Sequence, residues 1–396
     1  MPGTLSILSA TFPPGKRGMA IGVWGAISGL AIAIGPVAGG YLVAHASWRS
    51  VFFINVPVGI AGLILAAAVV PESRDQTRSR RVDLPGLAAG TAALTVLTFA
   101  LIEGNKRGWA DPLILGSLAA ASVLALAFLA IERRRAFPML PPGLFRNRTF
   151  SGANVVGALM FFGMIGTIFF LTLYLQDVPG YSPAQAGVRL LPLSGMILMF
   201  APVAGKLSDR IGSRGFMTAG PALTAAGLSL LLHTGPTTPY ATVLLPAFLA
   251  MGAGWAITLA PMSTAVMGSA GASQAGMASA VANTSREVGG VLGVAALGAL
   301  TTSVFNSTLL ARLTSAGIPA ARAARILTQA AATAATGGGS TATDPVVTHA
   351  IQSSFIHAMH AGVIAAVIAM LGASLASFAF VRSHPTTRTG GGTDAS

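Results

Sequence analysis

Few residues in this chain could do chemistry, and they sit in unusual company. Of 396 residues only 9% are charged, six are histidine and none is cysteine. Arg286 and Glu287 stand side by side inside a long apolar run. A charge there is costly and is a functional hypothesis by default. Neighbouring helical residues point about 100° apart, so the two need not pair with each other. The competing reading has both near a membrane end, snorkelling to water. Glu103 and Asp177, near the ends of other apolar runs, are candidate proton carriers or plain interfacial carboxylates. Asp209, Arg210 and Arg214 form a compact charged group. Asn283 accompanies Arg286, while Asn154, Tyr174 and Gln176 lie along a single run. Such polar groups either line a translocation cavity or make packing hydrogen bonds. His357 and His360 are one helical turn apart but lack a neighbouring acidic partner, so no metal site is expected. An enzyme needs His, Asp or Glu converging at one depth, and the sequence offers no such cluster. With no cysteine, disulfides and thiolate metal sites are excluded, and no cofactor is expected.

The elements that carry these residues are membrane spans. Hydrophobic residues make up 53% of the chain, against about a quarter charged in ordinary soluble proteins. One aqueous core cannot hide so much apolar surface, so the lipid bilayer is a partner. Runs long enough to cross it lie at about 19–42, 51–70, 86–103, 113–131, 150–175, 187–205, 216–233, 240–261, 275–304 and 352–381. Pro2 to Phe12 is too short to span and reads as the end of a helix whose beginning is absent. The formal charge of +13 is concentrated in alternate short loops, without interleaved aromatics, so nucleic acid is not a partner. That alternation places the basic loops and the C-terminus in the cytoplasm. By parity the 306–348 connection is extracytoplasmic, with a short surface helix over Pro319 to Ala335. The Gly/Thr-rich tail 384–396 is expected to be disordered.

Several segments carry a family resemblance. Gly25-x3-Gly29-x5-Gly35-Pro36-x2-Gly39-Gly40 resembles the antiporter motif on the fifth helix of major facilitator drug exporters. Bare glycines at such spacing also serve ordinary close helix packing. Ser47-Trp48-Arg49 through Asn55-Val56-Pro57 is similar to the loop after that helix in the fourteen-helix, EmrB/QacA-like branch. Gly205-Lys206-Leu207-Ser208-Asp209-Arg210-Ile211-Gly212-Ser213-Arg214 resembles the second copy of the superfamily's cytoplasmic loop motif. There Asp209 can accept hydrogen bonds at a helix N-terminus and pair with Arg210 or Arg214. The group is then either a latch released during the transport cycle or a solvated turn with weak ion pairs. Asn283-Thr284-Ser285-Arg286-Glu287-Val288-Gly289-Gly290 resembles the family's thirteenth helix.

The resemblance implies an all-α integral membrane protein of the major facilitator fold, with about ten full spans and one partial N-terminal helix. Residues 1–81 would be the remnant of an N-terminal bundle, 82–135 two extra linker helices, and 136–383 a complete C-terminal six-helix bundle. The first three helices and most of the fourth are expected to be missing. The implied activity is proton-coupled efflux of hydrophobic or cationic drugs, or other amphiphiles, across the cell membrane. The alternative is a fragment of such an exporter that does not transport.

Overall fold

The computed structural model describes residues 4, 7–8, 11–13, 16–69, 83–135, 142–270, 274–336 and 344–382. The half-helix expected at Pro2 to Phe12 falls mostly outside them, and the whole of the Arg74–Arg81 basic loop and of the 384–396 tail lies outside them. Every element among the described residues is helical. In chain order α1 spans Arg17–His45, and one helical turn, Ser50–Phe53, leads into α2, Asn55–Val69. An antiparallel hairpin follows, α3 (Leu84–Arg107) and α4 (Pro112–Arg134). Then come α5 (Arg148–Asp177), α6 (Pro183–Ile211), α7 (Arg214–Leu230), α8 (Leu245–Ser269), α9 (Ala275–Ser315), α10 (Ala320–Thr336) and α11 (Pro345–Phe380).

Nine helical stretches among the described residues are long and apolar enough to cross a bilayer. To these α1 adds 29 helical residues, about 43 Å at ~1.5 Å per residue. The all-helical architecture with many membrane-capable helices is the one that the sequence resemblance implies. Where helices begin follows from local chemistry. Asp83, Asp111, Asn147, Ser182 and Asp344 each accept a backbone N–H of the first turn of the helix they precede. Pro85, Pro112, Pro183 and Pro345 sit in the first turns, where a missing N–H costs nothing. Helix α1 has no cap of its own: Lys16 offers it no side-chain acceptor, and the starts of α7, α8 and α9 likewise lack a side-chain cap from the residue before them.

The core lies among α5, α6, α7, α8, α9 and α11, around Phe150, Met164, Tyr174, Phe248 and Met370. Glycines let these helices cross closely. A Cβ on Gly227 would lie 2.8 Å from the Met251 nitrogen, and Gly254 meets the α7 backbone at Gly220. Helix α1 packs on α6 and α8, and the α3–α4 hairpin leans on α9 through α3. No residue of α2 is buried.

Two span ends differ from expectation. Helix α9 continues to Ser315 instead of stopping near 304, and α11 begins at Pro345 instead of near 352. The reason is a small second core. Leu309 and Leu313 of α9 pack with Ala323 of α10 and Ala350 of α11. Arg312 donates to the Ser353 hydroxyl at 2.6 Å, and Arg322 pairs with Asp344 at 3.4 Å. These contacts hold the helices in register past the apolar segments, a coupling that hydropathy alone does not report.

Candidate functional site

The missing cap of α1 is supplied by another helix. Asp209, near the end of α6, accepts from Gly18 N–H at 3.0 and 3.1 Å and from Met19 N–H at 3.3 Å. Gly18 and Met19 are the second and third residues of α1, whose amides an N-cap normally satisfies. The carboxylate also faces the positive end of the α1 dipole. Asp209 is only 8% exposed, which removes competing water. Glycines make this reach possible. Gly205, one turn before Asp209, lies against the Gly18 carbonyl so closely that any Cβ at 205 would collide with it.

The rest of the Gly205–Arg214 group separates. Arg210 is exposed. Gly212 adopts φ +90° and ends α6, a backbone state that suits glycine. Arg214 turns away from Asp209: it donates to the Phe378 carbonyl at 2.8 Å and lies over the Phe378 ring. The expected pairing of Asp209 with Arg210 or Arg214 is therefore corrected. Backbone amides of α1 are the partners, because they lie unsatisfied at the same place and need no further charge.

The glycine motif divides by helical phase. Gly18, Gly22, Gly25, Gly29 and Gly40 fall within about 60° of one another at ~100° per residue. That stripe meets α6. Added Cβ atoms would lie 2.5 Å from the Ala201 oxygen at Gly22, 2.7 Å from Ile197 at Gly29 and 3.2 Å from the Ala184 nitrogen at Gly40. At Gly25 the contact is an ordinary 3.7 Å, with Leu259 of α8. Gly35 and Gly39 meet nothing within 4 Å among the described atoms. The Pro36 side chain lies outside the described residues.

Arg286 and Glu287 have opposite fates. Gly289 and Gly293 bring α9 against the α5 backbone at Ala158 and Phe162. This lays the Arg286 stem over Gly157 and leaves the residue 4% exposed. Its Nε donates to the Ala282 carbonyl at 3.1 Å, and its guanidinium carbon lies 5.8 Å from the centre of the Phe161 ring. Phe161 in turn packs on Trp255. Arg286 is thus held inside the bundle and does not snorkel to water. Glu287, about 100° further round α9, is exposed and faces α3, with Asn283 and Thr284 on the same crevice, and it still interacts electrostatically with Arg286.

Glu103, Gln176 and Asn154 bond within their own helices, while Tyr174 and His360 reach other elements. Glu103 pairs with Arg107 one turn along α3, at 3.3 Å. Asp177 closes α5. Gln176 donates to the Thr172 carbonyl, Asn154 to the Phe150 carbonyl and Tyr174 to the Gly235 carbonyl. His360 shares a 3.0 Å hydrogen bond with Thr234. No group of three or more metal-ligating side chains occurs among the described residues. Gly18 and Gly22 were not singled out from sequence. The signal that could have found them is a helix start lacking its own cap, with glycines four residues apart.

A multi-pass helical bundle joined by glycine seams, with one helix end capped from another helix, is the architecture of an integral membrane protein. The chain belongs to the Major Facilitator Superfamily, whose sequence pattern matches residues 1–294. It is 36% identical over 389 residues to a tetracenomycin C resistance and export protein of Streptomyces glaucescens, covering 95% of this chain and 71% of that one. It is 37% identical to a puromycin resistance protein of Streptomyces alboniger, over 76% of this chain and 60% of the relative. A multidrug resistance protein of Mycobacterium tuberculosis is 34% identical, over 77% and 57% respectively. The chain thus spans between about half and three quarters of the length of these relatives.

Proposed function

We propose that this chain carries the export machinery of a proton-coupled transporter for drug-like amphiphiles, of the fourteen-helix branch. It would sit in the cell membrane with its C-terminus in the cytoplasm and work by alternating access. The observation that carries this reading is the Asp209 cap. It ties the start of α1 to the end of α6 by hydrogen bonds that a relative movement of the two helices would break. Such a contact stabilises one transporter state by a few kcal/mol at most, the scale on which a two-state equilibrium can still be reversed. The relatives' names, which speak of resistance and export, support the same reading. Residues 1–81 would belong to an N-terminal bundle, 82–135 would form two linker helices and 136–383 the C-terminal bundle. The candidate coupling groups are the membrane-embedded Arg286 and Glu287.

The direct test is expression in a drug-hypersusceptible bacterial host. The proposal expects lowered accumulation of a lipophilic cationic dye, restored when a protonophore collapses the proton gradient. Accumulation equal to that of the empty host would overturn export by this polypeptide. A second reading, a chain that inserts but does not transport alone, is favoured by one observation: α2 buries none of its fifteen residues. The dye assay separates the two.

Topology has its own test. The chain contains no cysteine, so a single Thr328→Cys on the exposed face of α10 is a clean reporter. Labelling of intact cells by a membrane-impermeant thiol reagent is expected. Labelling only after the membrane is permeabilised would invert the proposed orientation.

A further inference from the structure

We infer that the crevice where ends of α5, α6, α7, α8 and α11 meet is a binding site for a phosphate group, carried by an anionic phospholipid or by free phosphate. The inference goes beyond the exporter reading and does not depend on it.

The crevice is framed without an occupant. Asn147 and Thr149 stand at the start of α5, Gly212 ends α6, Ser213 precedes α7, Ser269 closes α8 and Arg382 follows α11, around a volume of about 230 Å³. The Asn147 side-chain amide donates to the Ser269 carbonyl at 3.2 Å, which ties α8 to the start of α5. The Arg382 backbone N–H donates to the Thr149 hydroxyl at 3.3 Å, which ties the end of α11 to the same place. The walls therefore belong to four neighbouring helix ends held by their own contacts.

The lining selects an anion. Arg382 is its charged residue, and no acid takes part in it. Asp209, the nearest acid in sequence, is engaged by the amides of α1. Arg148 and Arg210, next in sequence to the crevice, are exposed. Ser213 gives α7 no side-chain cap, so the amides of Arg214, Gly215 and Phe216 lack the acceptor that a cap supplies, at the positive end of the helix dipole. An anion can come close there: a Cβ at Gly215 would meet nothing within 4 Å among the described atoms, nor would one at Gly268 in the opposite wall.

A second, independent observation concerns Thr264 of α8. Its side chain is part of the wall, and its hydroxyl is buried without a hydrogen-bond partner among the described residues. Such a group costs free energy until an acceptor reaches it. One guanidinium, the Ser213 and Thr264 hydroxyls and an uncapped helix start thus converge on one crevice. That donor set matches a tetrahedral oxyanion, whose several oxygens accept from different directions. In the proposed orientation these helix ends lie level with the phosphates of the cytoplasmic leaflet. Ser208, which precedes Asp209, lines the same crevice. An occupant would therefore rest against the turn that carries the latch.

The test uses the full chain purified in detergent and reads its thermal unfolding midpoint during titration at constant ionic strength. The probes are dihexanoyl phosphatidylglycerol, its phosphate-free counterpart dihexanoylglycerol, and inorganic phosphate exchanged for chloride. A ligand that binds the folded state stabilises it in proportion to occupancy. A saturable rise is expected with phosphatidylglycerol and none with dihexanoylglycerol. Phosphatidylglycerol acting alone identifies a lipid headgroup, inorganic phosphate acting alone a soluble phosphate, and both together a site open to either. Arg382→Gln should raise the dissociation constant at least tenfold. Ser213→Asp places a carboxylate of the chain's own in the vacant cap. Its midpoint without ligand should equal or exceed that of wild type, while the ligand-induced rise disappears, a split that a merely structural role would not produce. Arg325→Gln, which removes an exposed charge on α10, should leave the rise unchanged. The site is overturned by the absence of a saturable rise with either phosphate probe, or by an equal rise with dihexanoylglycerol. Rises in Arg382→Gln and Ser213→Asp equal to wild type overturn it as well.

Discussion

Asp209→Asn is expected to abolish export while the protein still inserts and accumulates in the membrane. The carboxylate makes three contacts of 3.0–3.3 Å with the amides of Gly18 and Met19. Asparagine keeps one acceptor oxygen, loses the charge that faces the helix dipole, and turns an N–H₂ toward N–H donors. Hydrogen bonds to a charged group contribute about 1.5–3 kcal/mol. An anion at a helix start adds roughly 0.3–2 kcal/mol, more where it is partly buried. A net loss of ~2 kcal/mol shifts a two-state balance by about thirtyfold. A transporter that must visit both states would then rest almost wholly in the one without the latch. Insertion is untouched, because it depends on apolar length and on the other helix starts. Efflux of a fluorescent substrate and abundance in the membrane fraction read the two consequences separately. Amide exchange at residues 18–22 supplies a third readout that needs no transport and should quicken. Wild-type efflux with unchanged exchange would show that the cap has no part in the cycle.

How much of this could be read from the sequence varies with distance along the chain. The starts of α3, α4 and α5 lie within two residues of the expected spans, since capping by Asp83, Asp111 and Asn147 is settled locally. Asp344 before Pro345 carries the same signal, but the apolar run alone put that start near 352. The Asp209 latch was half legible. Its residue type and loop placed it near a helix N-terminus, but its partners lie some 190 residues away in sequence. Local reasoning reached instead for Arg210 and Arg214, its nearest charges. Arg214 in fact serves the Phe378 carbonyl, another long-range contact. Similarly, sequence flagged Arg286 and Glu287 as one pair. Which of them the bundle would bury depended on where α5 crosses α9, and that is set by Gly157, Gly289 and Gly293 together. Periodicity reports a face; it does not report which neighbour covers it. The overlong α9 and α11 were missed for the same reason, since their ends are fixed by contacts with α10.

Glycine-to-alanine changes along α1 and α6 should have graded effects that follow the geometry, not membership of the glycine motif. Gly205→Ala is expected to be the most harmful, because its Cβ would strike the Gly18 backbone carbonyl and neither main chain can step aside. Gly22→Ala comes next, at 2.5 Å from the Ala201 oxygen and 2.7 Å from the Pro202 Cα. Overpacking of this kind costs about 1–3 kcal/mol. Gly29→Ala meets only the Ile197 side chain, at 2.7 Å from Cγ2, and a rotamer change there should relieve part of the strain. Gly40→Ala, at 3.2 Å from the Ala184 nitrogen, should be milder still. Gly35→Ala and Gly39→Ala meet no described atom within 4 Å. There the helix gains what alanine contributes over glycine, about 0.5–1 kcal/mol. Thermal unfolding of the purified variants in detergent should therefore rank Gly205 below Gly22, Gly22 below Gly29, and Gly35 and Gly39 at or above wild type. The same crossing positions Asp209, so Gly205→Ala should already have loosened the latch. Adding Asp209→Asn should then cost clearly less than it does alone, the non-additivity expected of residues sharing one contact. A flat ranking, or full additivity of the pair, would mean that the glycine crossing and the carboxylate cap are independent features of the fold.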